Sequence, residues 1–144
     1  MWPQDIFVDR NLTDNEIVTA FANILAVAPT KIYITENIAD DALHGRISDE
    51  KAVLCERMQV QGDFVLRLSI YLRTPALEQL DSISIIMRFS ELLHCACLVS
   101  DDSDNPYTWL LVQGLDKIQP VSLDMERLDK EEFVVHEASV AQAR

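Results

Sequence analysis

Glycine is almost missing from this chain. Gly45, Gly62 and Gly114 are the only three in 144 residues, which leaves no room for a glycine-rich loop that cradles phosphate. Lysine is nearly as rare: Lys31, Lys51, Lys117 and Lys130 are the full set. Phosphate backbones are held by clustered Lys and Arg, so nucleic-acid binding is excluded as an expectation. Three cysteines, Cys55, Cys95 and Cys97, are odd in number and too few for a disulfide scaffold, and they read as reduced thiols in a cytoplasmic protein. No apolar run approaches the ~20 residues of a membrane span. The start, Met1-Trp2-Pro3-Gln4-Asp5, has no basic region leading into an apolar stretch, so no secretory signal is read. Gly-x-Ser-x-Gly, the Walker loop and His-Glu-x-x-His are all absent, so no nucleophile elbow, nucleotide loop or zinc-protease helix is expected.

What the chain does have is acid on a foldable background. It carries 24 Asp and Glu against 12 Lys and Arg, a net charge of -12, with 49% hydrophobic residues. Disordered acidic chains lack that apolar content. The excess is uneven: residues 1–50 and 101–144 each hold -6, and residues 51–100 are neutral. The apolar middle therefore supplies the central sheet and main core helix. The length fits one domain, taken as residues 1–136 with a frayed tail over 137–144.

Periodicity places the elements. Ile6-Phe7-Val8 is a first strand. Thr13 and Glu16 form a capping box, with Leu12 and Ile17 set as its hydrophobic staple. Ile17, Phe21, Ile24, Leu25 and Ala28 follow on one helical face, and Pro29 stops the helix at or just before Ala28. Lys31 to Thr35 is a strand, and residues 36–51 form the longest loop, with room for a helical turn. Residues 52–73 read as an antiparallel hairpin with a three-residue connection, Gln61-Gly62-Asp63. Its second strand alternates strictly, Phe64, Leu66, Leu68, Ile70 and Leu72 on one face and Val65, Arg67, Ser69, Tyr71 and Arg73 on the other. Residues 78–94 satisfy both periods at their start. Length decides for a helix carrying Leu80, Ile83, Ile86, Phe89, Leu92 and Leu93. Strands over 95–100, 107–113 and 118–122 and a weak helix over 124–132 complete the chain. The order β-α-β-ββ-α-ββ plus a C-terminal appendage predicts an α+β fold. Its antiparallel sheet has about five to six strands, with two main helices packed on one face.

Chemistry-bearing clusters are few. Cys95 and Cys97 share a strand face, but a tetrahedral metal site needs about four ligands and only distant Cys55, His44 and His136 remain, so core packing is the simpler reading. Glu91 and His94 share a helix face and read as a solvent-side ion pair. Asp101, Asp102 and Asp104 form a hairpin tip without the spacing or terminal Glu of a calcium loop. No catalytic residue, metal ligand or cofactor site is expected. The partner-binding candidates are Asp40, Asp41, Asp101, Asp102 and Asp104 as exposed carboxylates. Arg67, Tyr71 and Arg73 join them on the outer row of the central strand, which Trp109 could extend, because Arg and Tyr favour binding hot spots.

In size, charge and element order the chain resembles the immunity proteins of bacterial toxin–immunity pairs. No motif carries the likeness and no residue is transferred by it. The resemblance implies a non-enzymatic cytosolic protein that occludes a basic partner, a nuclease among the candidates. The alternative is a secretion-chaperone-like dimer that holds a partner segment. A third reading is a metal- or thiol-dependent enzyme around His94 and Cys97. The choice between monomer and homodimer stays open.

Overall fold

The computed structural model describes residues 2–102, 105 and 107–136. In chain order the elements are β1 (Gln4–Val8), α1 (Asp14–Leu25), β2 (Ile32–Thr35), α2 (Ile38–Leu43), β3 (Val53–Gln59), β4 (Gln61–Gly62) and β5 (Leu66–Leu72). Then follow α3 (Pro75–Glu78), α4 (Ser82–Leu93), β6 (Cys97–Ser100), β7 (Thr108–Val112), β8 (Ile118–Ser122), α5 (Met125–Asp129) and β9 (Glu132–Phe133). The fold is α+β. Seven strands form one sheet in the order β2-β3-β5-β1-β6-β7-β8, and β4 pairs with β9 in a small second sheet. The strand count exceeds the expected five to six. The large sheet is antiparallel except at β2–β3, which is parallel. Parallel neighbours need a long crossover, and residues 36–52, with α2 inside them, supply it.

Helix α1 starts as its sequence dictates. Thr13 Oγ1 accepts from the Glu16 N–H (3.1 Å) and Glu16 Oε1 accepts from the Thr13 N–H (3.0 Å). Leu12 and Ile17 are both buried. The helix ends at Leu25, earlier than Pro29 alone requires, because Ala26 turns left-handed at φ 54° and closes it. Ala28 is consequently exposed and off the apolar face. Helix α4 begins at Ser82 because Asp81 caps it, accepting from the Ser84 N–H at 3.1 Å. That start sets the phase: Ile85, Ile86 and Phe89 face inward, while Leu80 and Leu92 are exposed. Ser90 is buried because its hydroxyl donates to the Cys95 carbonyl and accepts from the Gly114 N–H.

Both helices lie on one face of the sheet. Phe21 and Phe89 stack there at 4.9 Å over the row Leu66, Leu68, Ile70 and Leu72. All three cysteines are buried in this core. Burial pushes the Cys55 thiol up to about 12, and the Cys95 and Cys97 side chains hydrogen-bond to each other.

The expected place of Phe64 in that row is corrected. The connection between β3 and β5 is longer than three residues, because Val60 still donates to the Val65 carbonyl (3.0 Å) while Gln61-Gly62 swings away to pair with β9. Phe64 falls on the opposite face, in a second core with Phe7, Leu98, Leu111, Val121 and Leu123. The C-terminal segment covers that core. Phe133 stacks on Phe7 at 4.2 Å, Leu123 bridges Val135, and the His136 N–H donates to Ser122 O (2.8 Å). No helix among the described residues is long and apolar enough to cross a membrane.

Candidate functional site

One half of the outer sheet face is left open. The C-terminal segment walls it at β6–β8, and α2 walls it at β2. Register lines up Glu56, Ser69 and Asp5 across β3, β5 and β1, with Met58, Arg67 and Phe7 in the next row and Leu54 beside Tyr71. Strands lie about 4.8 Å apart, so these three floor a trough roughly 10 Å across.

Asp41 builds the α2 wall. Its carboxylate accepts from Thr35 Oγ1 (2.5 Å), Tyr33 OH (2.8 Å) and Arg46 Nη1 (3.2 Å). The Ile38 N–H adds a bond to Glu56 Oε2 at 2.9 Å. The Thr35 and Tyr33 hydroxyls, with Arg46, hold the Asp41 carboxyl below the usual carboxylate range. A carboxyl whose folded pKa is depressed contributes stability above its unfolded pKa of about 4 and loses it as pH falls through the folded value. Amide-exchange protection of residues 38–43 should therefore drop on acidification below about pH 4. The Asp41→Asn variant should lack that pH step. An equal step in the variant would place the titration elsewhere.

Three clefts open along the trough. One of about 620 Å³ is lined by Trp2, Asp5, Phe7, Tyr71, Asp102 and Trp109. A second, about 450 Å³, lies against Trp2 and Tyr71 with Ile38, Leu54, Arg73 and Glu78. The third, about 280 Å³, sits at the far end with Met58, Arg67, Lys130 and Phe133. A further cleft, about 1050 Å³, lies beside residues 11–15 and is lined by polar and apolar side chains alike. Its Arg57 is already bound to Asp14 (2.6 Å) and to Leu12 O (2.7 Å).

The sequence candidates divide. Arg67 and Tyr71 lie on the trough floor, Arg73 at its end, and Asp102 shares a cleft with Tyr71. Tyr71 is 40% exposed. Arg67 approaches Glu56 (3.8 Å) and Arg73 approaches Asp49 (3.9 Å), so the arginines have carboxylates within the protein. The buried Arg67 Nε has no hydrogen-bond partner among the described residues. Asp40 sits on α2 beside Arg46 and His44, and Asp41 is turned inward as above. Asp101 is half-buried at the start of the β6–β7 connection. Asp104 lies outside the described residues. Asp5, Glu78 and Asp102 are exposed, and no ion pair to them is seen among the described residues.

Sequence reasoning missed Trp2 and Asp5. Trp2 precedes β1, outside any periodic run, yet its indole N–H donates to Leu80 O at 3.0 Å and sets the ring at the trough edge. Its signal was rarity, since it is one of two tryptophans in the chain. The other, Trp109, is half-buried and packs edge-on to Phe7 at 5.6 Å. His94 is the left-handed cap of α4, and Glu91 accepts from the Leu115 N–H (3.2 Å) rather than reaching His94. Among the described residues no group of three His, Cys, Asp or Glu side chains is placed to hold a metal.

No protein-family model, no curated protein and no solved structure matches this chain.

Proposed function

We propose that this is a non-enzymatic binding protein that covers a basic protein partner with its trough face, in the manner of a toxin-neutralising immunity protein. One observation carries the reading. The trough's arginines are matched internally, while the carboxylates of Asp5, Glu78 and Asp102 rim aromatic clefts without ion-pair partners among the described residues. Unmatched rim carboxylates accelerate encounter with a positive surface, and half-exposed Trp and Tyr supply the short-range contacts. Occlusion of the partner's own phosphate-binding surface would then follow from coverage alone.

The chaperone alternative calls for an accessible edge strand. At β8 the bonds Gln113 N–H to Lys117 O and Leu123 N–H to Tyr107 O turn the backbone of Pro120 outward, where proline has no N–H to offer. His136 already takes the outward carbonyl of Ser122. The other edge, β2, is four residues long. We therefore favour the face over the edge.

The test begins with co-purification from the native cell at low salt, elution at high salt, and identification of the eluted protein. Association of the purified pair should then slow about 10- to 1,000-fold as ionic strength rises from about 0.01 M to about 1 M, since the screening length falls from ~30 to ~3 Å. Changing Asp101, Asp102 and Asp104 together to Asn should keep the fold and slow association. A salt-insensitive rate with the identified partner removes the electrostatic reading. An unchanged rate in the triple variant reduces that loop to a turn.

A further inference from the structure

We infer that the cleft of Trp2, Asp5, Tyr71, Asp102 and Trp109 is a guanidinium pocket, built to take an arginine side chain presented by the basic partner. The inference rests on the trough reading above and names what the trough recognises.

Four aromatic side chains converge on this one cleft: Trp2 before β1, Phe7 on β1, Tyr71 on β5 and Trp109 on β7. Its volume, about 620 Å³, is within the usual range for a small-ligand site. Two rings are held in place. The indole N–H of Trp2 is bonded to Leu80 O, and Trp109 is packed edge-on to Phe7. Pre-set aromatic faces attract a cation through the ring quadrupole, tryptophan most strongly. Asp5 and Asp102 add carboxylates to the same lining. Among the described residues that line this cleft there is no Lys, Arg or His. An aromatic box with two carboxylates and no cation among its described residues is complementary to a positive ligand. Among cations, the guanidinium suits it best, because it is planar, stacks on rings and forks onto carboxylates, whereas an ammonium is a compact, strongly hydrated point.

Trp2 and Trp109 are the only tryptophans in the chain, so intrinsic fluorescence reports on this cleft. The probe is a short blocked glycine peptide with one central arginine, titrated beside its citrulline twin, which keeps the shape and loses the charge. The arginine peptide should change the tryptophan emission saturably, and its affinity should fall with salt. Citrulline should weaken binding about tenfold, the size of a ring–cation contact of ordinary strength. The double change Asp5→Asn with Asp102→Asn should weaken the arginine peptide similarly and leave the citrulline peptide unchanged. Both sites are exposed, and Asn tolerates the left-handed backbone of Asp102 (φ 61°), so the variant should fold. Equal titration by the two peptides, or an unaltered double variant, overturns the pocket. A silent pocket beside salt-sensitive binding of the identified partner removes the pocket and keeps the partner reading. A pocket that takes arginine while no basic protein associates does the reverse.

Discussion

Replacing Phe89 by alanine should cost about 3–5 kcal/mol of folding stability. Phe89 is fully buried, and its ring stacks on Phe21 at 4.9 Å, where α4 meets α1 above the sheet. Removing it takes away apolar burial and leaves a void. The flanking Ile86, Ile17 and Leu68 are themselves completely enclosed and have little freedom to fill it. Against a typical total of about 5–15 kcal/mol, that loss brings the chain near the edge of folding. Urea denaturation should show a much lower midpoint with an unchanged slope. Adding Phe21→Ala should cost less than its effect alone, because the ring–ring contact of about 0.5–1.5 kcal/mol is already gone. A loss below about 1 kcal/mol for Phe89→Ala would show that the two helices are held by other contacts.

Gly62→Ala should release the C-terminal wall and spare the helical core. A Cβ at this position would meet the Phe133 backbone at 2.6 Å (O), 2.7 Å (N) and 2.8 Å (C), and the residue sits at φ +111°. Backbone atoms cannot swing aside as a side-chain tip can, so the β4–β9 pairing must open. The strain is about 1–3 kcal/mol, and opening relieves it. Two further bonds share this corner, Asp63 N–H to Phe133 O (2.8 Å) and Val135 N–H to Asp63 Oδ2 (3.0 Å). They should fail together with the Phe7–Phe133 stack. Amide exchange over residues 132–136 should accelerate strongly, while residues in α1 and α4 keep their protection. Retained protection at 132–136 would mean that the close approach at Gly62 does not hold the wall.

The start of α1 was legible because a cap is a local device, whereas the helix expected from residue 78 begins at Ser82, capped by Asp81. Thr13 with Glu16 needs only three residues of chain, and the capping box stands where the pattern placed it. The inner row of β5 was legible because alternation is also local: Leu66, Leu68, Ile70 and Leu72 are all buried. Phe64 continued the same alternation and still ended on the other face. What moved it was Gln61-Gly62 pairing with residues 132–133, some seventy positions away, and no short-range pattern contains such a partner. The weak helix expected over 124–132 is present as α5, but that Phe133 and Val135 go on to join a second core was not legible, for the same reason. The tail over 137–144 lies outside the described residues.

The candidate site divides along the same line. Arg67 and Tyr71 were visible as the polar side of a strand, and the exposed carboxylates were visible as charge. Asp41 was read as one of them, yet its carboxylate accepts from Thr35, Tyr33 and Arg46, because α2 folds back over β2. Trp2 and Trp109 meet only because β1 and β7 are brought into one sheet with β6 between them.

By itself the sequence determined the α+β class, the positions of the main helices and central hairpin, and the division of charge between acidic ends and a neutral middle. Those follow from periodicity, caps and composition, which act over a few residues or over the whole chain. Only the tertiary structure decided which half of the outer face stays open, which acids are used internally, and which aromatics share a cleft. Each of those depends on contacts between residues tens of positions apart, and local preference carries no information about them.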